Sequence, residues 1–129
     1  MRDKKKAQDN VNKLKKKPNS GKSVGVQDLS LMTRQLATLL KANIPLVDAL
    51  AAVSEQVENE TLSEAMSDCK NAVNEGSTFH KALAKYPNIF NIIYVSMCEA
   101  GEMSGTLDII LLRLAEFTES QNELRTKVK

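Results

Sequence analysis

The chain has 129 residues, 42% hydrophobic and 26% charged, enough for one modest core without metal or disulfide staples and too few for two domains. Cys69 and Cys98 stand 29 positions apart in amphipathic stretches with no signal peptide ahead of them, which predicts reduced thiols in a cytosolic compartment. The longest aliphatic run, Ile109 to Leu112, covers four residues where a membrane-spanning helix needs ~18, and the net charge of +2 divides into +7 over residues 1–25 and −5 over the rest.

Residues 1–25 hold too few apolar side chains to offset the entropy of ordering them, so they read as a basic, disordered arm ending after the Pro18-Asn19-Ser20-Gly21 turn signal. The folded body is expected over 26–129. Asp28 is the expected N-cap of a first helix that buries Leu29, Met32, Leu36, Leu39 and Leu40. Asn43 suits the left-handed position that closes it, and Pro45 suits the first turn of a second helix burying Leu46, Ala49, Leu50 and Val53. A third helix follows from Asn59 to Gly76, with Leu62, Ala65, Met66, Cys69, Ala72 and Val73 on one face. Ser77 is the expected cap of a short fourth helix that Pro87 stops. Ile89 to Met97 has strand-like composition, but Phe90, Ile93, Tyr94, Met97 and Gly101 follow helical spacing, so a fifth helix closed by Gly101 is predicted. A last helix of about 22 residues begins near Ser104 or Gly105, with Leu107, Ile110, Leu114, Phe117, Leu124 and Val128 inward and a C-terminal end that projects from the bundle. The predicted fold class is all-α, a compact bundle of about six antiparallel helices with a long C-terminal helix.

Four segments then carry a family resemblance. They are DLSLMTRQLATLLKANIPLVDAL (28–50), EGSTFHKAL (75–83), PNIFNIIYVSMCEAGEMSGTLD (87–108) and LRLAEFTESQNELRTKVK (112–129). In order and spacing they resemble the cytoplasmic domain of the platform proteins of type II secretion systems and type IV pili. Asn43 departs from that pattern, which usually has glycine there; asparagine is the next best residue for a left-handed corner. The resemblance implies two copies of such a domain and three membrane helices in the whole protein, so this chain is expected to be a fragment, most similar to the first copy.

The residues themselves point away from catalysis. His80 has Phe79 and Lys81 beside it and no neighbouring carboxylate to orient it as a base, so a half-buried structural role outweighs a phosphotransfer one. Cys69 and Cys98 lack a nearby histidine or a close cysteine partner and read as inert buried thiols. The segment GEMSG lacks the Lys-Ser or Lys-Thr of a phosphate loop. Glu99, Glu102 and Asp108 give at most a weak calcium or magnesium site, short of the six ligands needed, so neither metal nor cofactor is expected. Arg34 lies among hydrophobes and reads as an ion-pair former, with Glu102 as its candidate acid, or as a partner contact. The partner or hinge candidates are Arg34, Gln35, Asn43, Pro45, Gly101, Glu102 and Gly105. The basic arm reads as solvated, as attracted to anionic phospholipid, or as docking on an acidic partner face; nucleic acid is disfavoured because no aromatic residues interleave the lysines.

The resemblance implies a non-catalytic scaffold at the cytoplasmic face of the bacterial inner membrane, coupling a cytoplasmic ATPase to pilin or pseudopilin assembly. Its partners would be that ATPase and other platform components, and its membrane contact would come through segments outside this chain. The seven-residue pattern of the last helix suggests a homo-oligomer. The rival reading is a free-standing helical binding module whose basic arm holds an anionic partner.

Overall fold

The structure, a computed structural model, describes the backbone of residues 23–128 and the side chains of residues 23–121. The arm over 1–22, including its turn signal, and the inward positions expected of Leu124 and Val128 lie outside those residues. The described chain forms six helices and no strand: α1 (Val26–Lys41), α2 (Leu46–Gln56), α3 (Glu60–Asn74), α4 (Phe79–Leu83), α5 (Ile92–Ser104) and α6 (Leu107–Val128). Helical spacing therefore prevails over the β-branched composition of residues 89–97. α1 makes its most extensive contact with α6, α2 packs on α3, and α5 lies against both α4 and α6.

Every helix contributes to one core. Met32 and Leu36 from α1 meet Leu50 and Val53 from α2, Leu62 and Met66 from α3, Phe79 and Leu83 from α4, Tyr94 and Cys98 from α5, and Leu111 and Leu114 from α6. Burying each large apolar side chain contributes about 1.5–3 kcal/mol. Phe90, in the turn before α5, stacks at a tilt on Tyr94 with ring centroids 5.1 Å apart.

The helix ends follow capping chemistry, with two shifts from expectation. α1 begins at Val26 with Gly25 as its N-cap, and Asp28 lies inside the first turn, where its carboxylate accepts the Gly25 N–H at 3.4 Å. Thr78, not Ser77, caps α4 through its hydroxyl oxygen, because Ser77 donates to the Thr78 carbonyl instead. Asn59 and Asn91 accept N–H groups in the first turns of α3 and α5. At the end of α1, Asn43 adopts φ 67° while the Asn43 and Ile44 amides bond back to Leu40 and Leu39, the paired closure typical of a left-handed C-terminus.

Three assignments are corrected. Gly101 does not close the fifth helix; it is buried inside α5, and Gly105, at φ 74°, closes it four residues later. Ile93 and Phe117 are 62% and 57% exposed, not core. α6 buries the expected Leu114 and packs Leu107 and Ile110 against the edge of the core, and it turns Leu111, Ala115 and Thr118 inward beside them. Thr118 tolerates burial because its hydroxyl bonds the Leu114 and Ala115 carbonyls of its own helix at 3.0 Å.

Candidate functional site: interhelical braces and the α5–α6 bend

Polar side chains link the helices at several places, three of which involve motif residues or the buried core. The Arg34 guanidinium on α1 donates to both carboxylate oxygens of Glu119 on α6, at 2.6 and 2.9 Å. The planar fork matches a carboxylate, which fixes the register of the two helices. Glu119 therefore replaces Glu102 as the acid for Arg34. Arg34 holds the Glu119 carboxyl below its ordinary range, through the hydrogen bond first and charge attraction second. The pair stays partly open to water, so screening limits its energy.

Glu102 instead reaches from α5 to the start of α4. Its Oε2 accepts the Phe79 N–H at 2.6 Å, and its Oε1 accepts the His80 N–H at 3.0 Å and lies 2.6 Å from His80 Nδ1. Opening amides of a helix lack partners within it, and here a carboxylate from another helix satisfies two of them. His80 thus has a carboxylate to orient it after all, from twenty-two positions along the chain. Both Glu102 oxygens are engaged in this tie, which makes the contact a brace between α4 and α5.

The third link is buried. The Thr33 hydroxyl donates to the Leu29 carbonyl at 2.7 Å, which leaves the Tyr94 hydroxyl to donate to Thr33 Oγ1 at 2.6 Å, joining α1 to α5. Burial pushes the Tyr94 phenol well above its usual range, so it remains a neutral donor. On the far side of the bundle the Tyr86 hydroxyl donates to Asp68 of α3. Burial first and Asp68 second raise the Tyr86 phenol to about 12.

The α5–α6 bend is held by shape as well. A Cβ added at Gly101 would lie 2.9 Å from Ile110 Cγ1 and 3.0 Å from the Leu107 Cα, so only glycine lets the two backbones approach this closely. The Thr106 N–H bonds to the Gly101 carbonyl at 2.9 Å, closing the turn over that contact. Asp108 accepts the N–H of Ile109 beside it, while Glu102 faces α4. Among the described residues no group of three His, Cys, Asp or Glu side chains is placed to hold a metal ion. Cys69 and Cys98 are free and buried, and burial raises both thiols to about 12, which keeps them protonated at neutral pH.

The seven candidate residues thus fall in three places. Arg34 braces α1 to α6, while Gln35 lines a cleft between α1 and the end of α2. Asn43 and Pro45 form the exposed α1–α2 corner, with Pro45 as the N-cap of α2. Gly101, Glu102 and Gly105 share the α5–α6 hairpin. Sequence reasoning missed Thr33, Tyr94 and Glu119. A mid-helix threonine three positions before Leu36 was the available signal for the first.

Such contacts define an all-helical module whose motif residues hold one helix to another. The braces also pair the four recognised segments: the first with the fourth through Arg34 and Glu119, the second with the third through His80 and Glu102. The family model described as type II secretion system (T2SS), protein F matches residues 32–129. The chain is 41% identical over 103 residues to the type IV pilus assembly protein PilC of Myxococcus xanthus, covering 80% of this chain and 25% of the relative. It is 44% identical over 105 residues to PilC of Thermus thermophilus, covering 81% and 26%, and 39% identical over 108 residues to type II secretion system protein F of Vibrio cholerae, covering 84% and 27%. This chain belongs to the type II secretion system protein F and type IV pilus PilC family, and it spans about a quarter of the length of the curated relatives it matches. No helix among the described residues is long and apolar enough to cross a membrane.

Proposed function

We propose that this chain is a non-catalytic scaffold domain of an inner-membrane platform protein, the first of its two cytoplasmic copies, which couples a cytoplasmic ATPase to pilin or pseudopilin assembly. The observation that carries the reading is the use of the motif side chains: Arg34 and Glu102 are committed to braces between helices. A module built this way passes on displacement, because packed helices shift as rigid bodies about their turns. The α5–α6 hairpin, closed over Gly101 and tied to α4 by Glu102, is the element that would carry such a displacement into α6.

Two measurements test this. Immobilised chain should retain the secretion or pilus ATPase of its own system from a purified solution, and should turn over no nucleotide alone. Cells whose platform protein carries Gly101→Val should lose secretion or piliation while the protein still reaches the membrane at normal level. Retention of no ATPase, together with normal assembly in the Gly101→Val cells, would overturn the coupling role; turnover by the chain alone would overturn the non-catalytic one. Self-association belongs to the same proposal, on the strength of the apolar pattern of α6, and a monomeric mass in solution across the concentration range would remove it.

A further inference from the structure

One face of α1 is left unused by the braces. Arg34 is committed to α6 and Leu36 to the core. Gln35, between them, makes no side-chain hydrogen bond among the described residues and lines a cleft of about 250 Å³ between α1 and the end of α2. Leu31, Met32 and Val57 give that cleft an apolar lining, Asp28 and Glu58 give it two carboxylates, and Gln56 adds a second amide. Leu31 is 57% exposed against 1% for Met32 beside it, so the leucine is the apolar surface still open to water.

The charges around the cleft are of one sign. No Lys or Arg lines it. Asp28 accepts only from neutral donors, the Gly25 N–H and Asn59 Nδ2, both at 3.4 Å, and Glu58 has no hydrogen bond or ion pair among the described residues. Residues 46–75 hold seven acidic residues against Lys70 alone. A neutral apolar surface laid over Leu31 would draw both carboxylates out of water with no counter-charge, which is costly. A second copy meeting this face with its own would set carboxylate against carboxylate, and phospholipid or nucleic-acid phosphates would be repelled in the same way. The complement is a protein segment with an aliphatic or aromatic side chain for Leu31 and Lys or Arg on either side of it. The Gln35 and Gln56 amides, which both donate and accept, suit its polar backbone.

We propose that this cleft is the docking site of the cytoplasmic ATPase of the proposed function, a reading on which the inference rests, and that the ATPase presents to it an apolar side chain flanked by Lys or Arg. Contact on Leu31 holds the complex together, while Asp28 and Glu58 steer its approach. The site lies on α1, which Arg34 ties to α6, so displacement received there passes to the long helix.

The test is real-time binding of the purified ATPase of the same system to the immobilised full chain. Leu31→Ala should speed dissociation about tenfold and leave association unchanged. Glu58→Lys should slow association about fivefold and flatten its dependence on salt between about 50 and about 500 mM. Ile109→Ala, at another exposed apolar residue, and Glu64→Lys, the same charge change on the Tyr86 side of α3, should bind as the unaltered chain does. All four positions are exposed, so an unchanged melting temperature is expected in each variant. Unaltered kinetics in both cleft variants, with the wild-type chain binding, would overturn this site and leave the coupling role standing. Equal weakening by Glu58→Lys and Glu64→Lys would trace the effect to overall charge and overturn it too. Loss of binding only when Lys13, Lys15, Lys16 and Lys17 are changed to Glu would move the contact to the basic arm, with the same consequence. No binding of the ATPase to the wild-type chain would overturn both the site and the reading beneath it.

Discussion

The bend between α1 and α2 and the bend between α5 and α6 share a backbone geometry and differ in everything around it. Both turn on one left-handed residue, Asn43 at φ 67° and Gly105 at φ 74°. At the first, all the residues from Lys41 to Pro45 are exposed, and the closure rests on backbone bonds to Leu39 and Leu40. At the second, Gly101 is buried against Ile110 and Leu107 one turn back, and Glu102 beside it is fastened to α4. Opening the first bend breaks local hydrogen bonds; opening the second must also separate packed backbones and release a carboxylate from two amides. The freedom of a turn is thus set by what the preceding helical turn packs on, and the left-handed residue alone does not make a hinge.

The largest expected effect is at Gly101. Gly101→Val pushes side-chain atoms into the Leu107 backbone, which cannot yield as a flexible side chain would, and should cost about 3 kcal/mol in urea unfolding, the upper end for overpacking. A loss well under 1 kcal/mol would show that the two helices can separate there. Glu102→Ala removes the acceptor of the Phe79 and His80 amides and should cost about 2 kcal/mol, with Glu102→Gln in between because it keeps one acceptor oxygen. At the turn residues themselves the bends should converge: Asn43→Ala and Gly105→Ala should each cost about 1 kcal/mol, since only the left-handed backbone is at stake. Asn43→Gly should cost nothing. The smallest effect concerns Arg34. Because Arg34 holds the Glu119 carboxyl below its ordinary value of 4.5 in the folded state, the pair contributes stability above that value and loses it as pH falls through the folded one. Arg34→Gln should therefore flatten the fall in melting temperature as the pH drops below the ordinary carboxyl value, and an unchanged slope would show that the pair adds nothing.

The helices and most of the core were legible because spacings of three and four mark which side chains can share a face, and because Asn43, Pro45, Gly76 and Gly105 punctuate the chain where the backbone must turn. Gly101 misled because a glycine near a helix end looks like a stop signal, whereas here it is kept for the space it leaves between α5 and α6. Phe117 misled because the heptad count ignores polar residues that satisfy themselves: Thr118 takes the inward place through bonds to its own helix. The braces were out of reach for a different reason. Arg34 and Glu119 are 85 positions apart and His80 and Glu102 are 22 apart, and which acid meets which base depends on how α1 lies along α6 and how α4 abuts α5. Charge and composition announce that an arginine in an apolar run needs an acid; they do not name the acid.

The contrast between the two bends is tested most directly by native-state hydrogen exchange at two turn-closing amides, Thr106, bonded to the Gly101 carbonyl, and Ile44, bonded to the Leu39 carbonyl. The account predicts that Thr106 exchanges only with opening that approaches global unfolding, while Ile44 exchanges through a local opening of much lower free energy. Equal protection of the two amides, or stronger protection at Ile44, would contradict it.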